Sequence, residues 1–178
     1  AENFSLAPGA DNATLDLFGL NEEPFALSDF ADGIEVGVFT VVAQPIVTLH
    51  PDTDLTGIAS LAVPEGTVLN LTAAQFQQLD GDGTIVGIDG STNFTVNITD
   101  LLQADVEDGL VLTNVAADIQ TLTMAEDVVL VDTDDLGGFE VIMGDGMTLT
   151  LAEIQQADGL VIGGGTNTTL KFTDTYAA

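Results

Sequence analysis

Cysteine and tryptophan are missing from this 178-residue chain, and His50, Tyr176 and the one basic residue, Lys171, each stand alone in their class. Each shortage removes a kind of chemistry. Without Cys there are no disulfides, thiolate metal sites or thiol nucleophiles. With one His and one Lys, catalytic triads, zinc centres and phosphoryl-transfer clamps lack their parts. His50, between Leu49 and Pro51, reads as a structural residue at a strand end. Carboxylates abound and could supply a glycosidase pair, but such sites are normally lined by Trp and Tyr, which this chain hardly has. The sequence is therefore read as a non-enzyme.

The charge is equally one-sided. Twenty-nine acids against one base give a formal charge of −28. Nothing in the chain can neutralise phosphates, which argues against nucleic acid and anionic membrane surfaces as direct partners. No apolar run approaches the roughly 20 residues of a membrane-spanning helix, so no membrane insertion is expected. Self-repulsion of this size opposes compaction unless salt or divalent cations screen it. A saline or calcium-containing medium is expected. The start, Ala1-Glu2-Asn3-Phe4-Ser5, has neither a charged n-region nor an apolar h-region, and resembles a mature terminus after signal removal. Extracellular, cell-surface localisation follows as an expectation.

What the chain does have is a core and a repeat. Hydrophobic residues make up 46% of it, enough to bury a core rather than stay disordered. Val, Ile, Leu and Phe interleaved with Thr favour strands. Leu71-Thr72-Ala73-Ala74-Gln75-Phe76-Gln77-Gln78 matches Leu149-Thr150-Leu151-Ala152-Glu153-Ile154-Gln155-Gln156, and residues 91–100 match 165–174. Two blocks in the same order define an internal duplication, about 67–100 and 147–174. Thr72, Asp100 and Thr150 each stand nine residues before Gly81, Gly109 or Gly159. Each is a good helix N-cap, with Gln75, Gln103 or Glu153 completing a capping box and the Asp-Gly ending a two-turn helix. A contracted unit runs from Ser28 to Asp32-Gly33.

The expected fold is mainly β with short capped helices, as a β-sandwich-like or mixed β fold with internal duplication. A β-solenoid is the alternative. The run Ile34 to Leu49 is long for a solenoid rung of about five residues, which favours the sandwich. Residues 1–24 form an N-terminal arm, a candidate exchanged strand, and residues 25–178 a single β-rich domain.

The runs Leu69-Asn70-Leu71-Thr72-Ala73-Ala74-Gln75 and Thr148 to Gly165 resemble the Thr/Ala/Asp-Gly-rich repeats of large prokaryotic surface adhesins and S-layer-like proteins, over about residues 67–174. The resemblance implies a cell-surface location and a structural or adhesive role.

Candidate sites are few. Asp80-Gly81-Asp82-Gly83 with Asp89 has part of an oxygen-lined calcium loop, and calcium is the one cofactor the composition leaves open. Its spacing departs from the EF-hand pattern, and an ordinary polar turn competes. Asp132, Asp134 and Asp135 form a second acidic turn, Asp52 and Asp54 a third. Six of eight asparagines lie in Asn-x-Ser/Thr: Asn3, Asn12, Asn70, Asn93, Asn97 and Asn167. N-glycosylation is one explanation; Thr-rich strands generating the pattern by themselves is the other. Lys171, on a strand, is expected to pair with one of the many carboxylates or to cap a face. The function expected is a self-assembling structural subunit of an extracellular filament or surface layer, its partners copies of itself. The alternative is a monomeric adhesin or binding module for glycan, ice or a calcium-dependent contact; Thr95, Thr99, Thr169 and Thr173 alternate suitably for an ice-binding face.

Overall fold

The computed structural model describes residues 15–16, 36–40, 45–79, 84–107, 109–152 and 160–173. The strands are β1 (Leu15–Asp16), β2 (Val36–Thr40), β3 (Ile46–Thr48), β4 (Ile58–Val63), β5 (Val68–Thr72), β6 (Thr84–Gly87), β7 (Thr95–Leu101) and β8 (Ile119–Met124). They continue with β9 (Val128–Val129), β10 (Glu140–Met143), β11 (Thr148–Leu151), β12 (Ile162–Gly164) and β13 (Thr169–Phe172). Two short helices, α1 (Ala73–Gln77) and α2 (Gln103–Val106), follow β5 and β7. The strands form three sheets, ordered β1-β2-β4-β6, β3-β5-β7-β8-β10-β12 and β9-β11-β13.

Every described strand pairing is parallel. Parallel neighbours cannot be joined by a tight hairpin, so the chain must travel before it returns. Here it returns after one coil: side chains bonded across the central sheet lie 22, 27 and 24 residues apart. The result is a β-solenoid of about five turns. The mainly β character with short helices is as expected, and of the two architectures the solenoid is the one formed. The argument for the sandwich came from the length of Ile34 to Leu49. That run holds two strands in different sheets: β2 pairs with β4, and β3 with β5. Hydropathy alone does not show where such a run turns a corner.

The interior follows from alternation. In β5, Leu69 and Leu71 are buried while Val68, Asn70 and Thr72 stand outward, and β11 alternates likewise. In-register stacking then makes columns. Leu71, Ile98, Leu122 and Val141 succeed one another across four strands, all buried. Each such side chain contributes about 1.5–3 kcal/mol relative to exposure. Phe76 and Phe139 are the largest fully buried side chains.

The caps are partly as the sequence suggests. Thr72 caps α1: its Oγ1 accepts the Gln75 amide at 3.1 Å, and Gln75 Oε1 accepts the Thr72 amide at 3.0 Å. Asp100 is not a cap. It has φ 59° within β7, and α2 begins only at Gln103. Asp105 instead reaches back to accept the Leu102 amide at 2.8 Å. Thr150 is not a cap either, because it lies inside β11, opposite Lys171 and Val129. Sequence matching placed it there by aligning Leu149 with Leu71, one pleat period out. The turns fix the true register. Thr67 N bonds Pro64 O and Thr95 N bonds Thr67 O; Met147 N bonds Gly144 O and Thr169 N bonds Met147 O. Leu69 and Leu71 therefore correspond to Leu149 and Leu151. Of the terminating glycines, Gly109 has the positive φ required, 87°; Gly81, Gly159 and Ser28 to Gly33 lie outside the described residues.

The duplication also reaches further back than the sequence match. Thr53 N to His50 O recurs as Asp134 N to Val131 O, and Ile58 N to Leu55 O as Phe139 N to Leu136 O. The carboxylate of Asp54 accepts the Thr56 amide as that of Asp135 accepts the Gly137 amide. Residues 47–71 and 128–151 are thus two copies of one strand–turn–strand–turn–strand coil.

Candidate functional site

The acidic turns act as coil-to-coil staples. Asp127 Oδ1 accepts the Thr148 amide at 2.7 Å, and Asp145 Oδ1 accepts the Thr166 amide at 2.6 Å. Both bonds span 21 residues, one coil. Glu126 accepts the Gln103 amide, and Glu65 the Asn93 side-chain amide. The Thr166 amide and hydroxyl hold the Asp145 carboxyl below its ordinary pKa; the Thr56 hydroxyl and amide do the same at Asp54. Asp134 sits deepest, 2% exposed, with Oδ1 on the Leu110 amide at 2.8 Å and Oδ2 on the Val131 amide at 2.7 Å. Burial pushes its pKa up against the pull of those two bonds. A carboxylate accepting turn amides from the next coil does in a solenoid what a cap does for a helix.

This accounts for the candidate metal residues as follows. Asp80 and Asp82 lie outside the described residues. Asp89 is exposed at φ 56° in a tight turn over Ile88–Gly90. Among the described residues no three His, Cys, Asp or Glu side chains converge as metal ligands. The Asp132, Asp134 and Asp135 turn is explained by its hydrogen bonds. His50 takes part in another turn: its carbonyl accepts Gln75 Nε2 at 2.6 Å, and its Nδ1 accepts the Asp52 amide at 3.2 Å.

The sequon asparagines divide by geometry. Asn3 and Asn12 are outside the described residues. Asn70 and Asn97 belong to an outward polar column with Thr48 and Thr121, one residue from each of four adjacent strands. Asn70 donates to Thr48 Oγ1 at 2.9 Å, Asn97 donates to Asn70 Oδ1 at 2.8 Å, and the Thr121 hydroxyl donates to Asn97 Oδ1 at 2.7 Å. Such amide ladders stabilise parallel in-register sheets, and they engage the nitrogen that a glycan would need. Asn93 and Asn167 lie instead in exposed turns, Asn167 at φ 59°. The amide ladder had a sequence signal, Asn-x-Thr at like positions in successive strands, but the strand register was needed to read it.

The last coil, residues 160–173, differs from those beneath it. Leu149 and Leu151 of β11 are 0% and 3% exposed, whereas their register partners Leu170 and Phe172 of β13 are 42% and 54% exposed. β12 and β13 are the outermost strands of their sheets, so one edge of each meets no further described strand. The glycines Gly163 to Gly165 seat this coil: a Cβ at Gly164 would run into the Met143 carbonyl, and one at Gly165 into that of Gly144. Lys171 stands exposed in β13, and among the described residues no carboxylate lies within ion-pair distance of it; Glu153, Asp158 and Asp174 lie outside the described residues.

No helix among the described residues is long and apolar enough to cross a membrane. In comparisons with known proteins, no family model matches the chain, and neither a curated protein nor a solved structure gives a significant match.

Proposed function

We propose that the chain is a structural subunit of an extracellular filament or surface layer, a rod that extends by joining copies of itself through strand addition. One observation carries this: among the described residues β12 and β13 each have an edge that meets no further strand, and Leu170 and Phe172 of β13 are partly bare. Parallel strand edges are templates for further strands unless blunted or covered. The composition supports the surrounding circumstances. An excess of 28 negative charges suits a saline exterior, where salt or calcium screens repulsion between copies. The resemblance to surface-adhesin repeats points to the same setting, and Asn167, exposed in a turn, is the described sequon best placed to bear a glycan.

Size-exclusion chromatography and negative-stain microscopy across salt concentration, with and without calcium, test this reading. Ordered polymers are expected at high salt. A monomer under every condition would sink it. Loss of polymers on chelation would identify calcium as a bridge.

A second reading, a monomeric module binding glycan or ice, is favoured by one feature: the outward rank Thr48, Asn70, Asn97 and Thr121, repeating at the strand spacing of roughly 4.8 Å. The mutual hydrogen bonds of these groups leave less of their polarity for a ligand. Inhibition of ice recrystallisation by a monomeric preparation would support it.

A further inference from the structure

We infer that Met147 is a site of reversible oxidation: peroxides convert its thioether to one sulfoxide epimer, which loosens residues 160–173 from the coil beneath. The site is independent of the filament reading. The chain has three methionines. Met124 and Met143 are each 3% exposed, whereas Met147 is only partly buried, at the margin of the core. A thioether reacts where an oxidant can reach it, so Met147 is met first.

The surroundings of its sulfur are specific to this copy of the duplicated coil. Pro64-Glu65-Gly66-Thr67 corresponds to Gly144-Asp145-Gly146-Met147: Thr67 N bonds Pro64 O as Met147 N bonds Gly144 O, and Gly66 and Gly146 have φ 77° and 75°. Proline has no N–H. Gly144 in its place adds an amide to the turn, and that amide donates to Met147 Sδ at 3.3 Å. The side chain lies so close over Gly144 that a Cβ there would be 2.8 Å from its methyl carbon. One sulfur lone pair thus faces an N–H and is closed to an oxidant, and the other is open. With hydrogen peroxide, the open lone pair forms the S–O bond, the O–O bond breaks and water leaves; the sulfur is oxidised and the peroxide reduced. Attack from one side gives one configuration at the new stereocentre.

The same turn ties two coils together. Asp145 Oδ1 accepts the Thr166 amide at 2.6 Å and its hydroxyl at 3.1 Å, Gly146 N donates to Thr166 O at 2.9 Å, and Thr169 N donates to Met147 O at 2.9 Å. A sulfoxide puts a polar group where an apolar one packs against the core. The turn is thereby displaced, and the bonds to Thr166 and Thr169 open more often.

Hydrogen peroxide added to the folded full chain, followed by peptide mass spectrometry, provides the test. Met147 should react at least about tenfold faster than Met124 or Met143, and the three should react alike in urea. Two methionine sulfoxide reductases, each specific for one epimer, then read the configuration on the digested peptides. Only one of them should reduce the Met147 product of the folded chain. Gly144→Pro removes the N–H, as Pro64 does in the other copy, and its product should need both enzymes; if that variant does not fold by circular dichroism, the wild-type epimer ratio decides alone. The Thr166 and Thr169 amides should exchange with solvent several-fold faster after oxidation, but not in peroxide-treated Met147→Leu. Equal reaction of the three methionines in the folded chain, equal amounts of the two epimers, or exchange unchanged after complete oxidation of Met147 would each overturn the inference.

Discussion

Asp134 offers the sharpest test of the idea that acids hold the coils together. Its carboxylate accepts two backbone amides, Leu110 from the preceding coil and Val131 from its own. Asp134→Ala leaves both donors without that partner in a site 2% exposed. An unsatisfied buried donor costs about 1–3 kcal/mol. Against this, the substitution removes a carboxylate whose charged form burial disfavours, as its raised pKa records. The net loss is expected at about 1–3 kcal/mol, measured by urea unfolding followed by circular dichroism. The pH dependence has a definite sign. A folded-state pKa above the unfolded value means that the native protein binds this proton more tightly. The stabilisation from Asp134 is therefore full below the ordinary carboxyl pKa of 3.8 and declines as pH rises through the folded value. Asp134→Asn, which cannot titrate, should lack that decline, so the stability difference between wild type and variant should shrink with rising pH above 3.8. Two results would refute the reasoning: an Asp134→Ala loss under about 0.5 kcal/mol, the range of ordinary surface changes, or identical pH profiles for wild type and Asp134→Asn.

Further outcomes follow from the columns and turns. Leu122→Ala, in the middle of the interior stack, should cost about 2–5 kcal/mol in chemical unfolding, since its neighbours above and below are fixed by sheet register. Asn97→Asp removes the donor to Asn70 and sets a carboxylate against its oxygen; a loss of about 1–2 kcal/mol is expected from thermal melting, while Asn167→Asp in an exposed turn should fall within about 0.5 kcal/mol. Gly137 and Gly66 both have positive φ, 53° and 77°, but a Cβ at Gly137 would lie 2.8 Å from the Leu112 carbonyl oxygen, and one at Gly66 meets open space. Gly66→Ala should cost about 1–2 kcal/mol for the backbone conformation alone, and Gly137→Ala measurably more in the same assay.

The sequence by itself determined some local features. The alternation in Val68–Thr72, the capping box of Thr72 and Gln75, and the positive-φ glycine at Gly109 are local: they depend on period, on side-chain reach and on backbone sterics within a few residues. Composition likewise fixed the extreme charge. What only the tertiary structure decided was register. Parallel partners lie a full coil apart in sequence, and an apolar–polar strand matches its neighbour equally well when shifted by two residues, as the pairing of Leu71 with Leu149 rather than Leu151 illustrates. The turn hydrogen bonds break that degeneracy, because each carboxylate or carbonyl reaches one particular amide of the next coil. From register follow the features no single strand can specify: the Thr48–Asn70–Asn97–Thr121 ladder, the staple at Asp134 and the bare last coil at Leu170 and Phe172. The chain's repeated units set the material of the solenoid, and their stacking decides which side chains it covers.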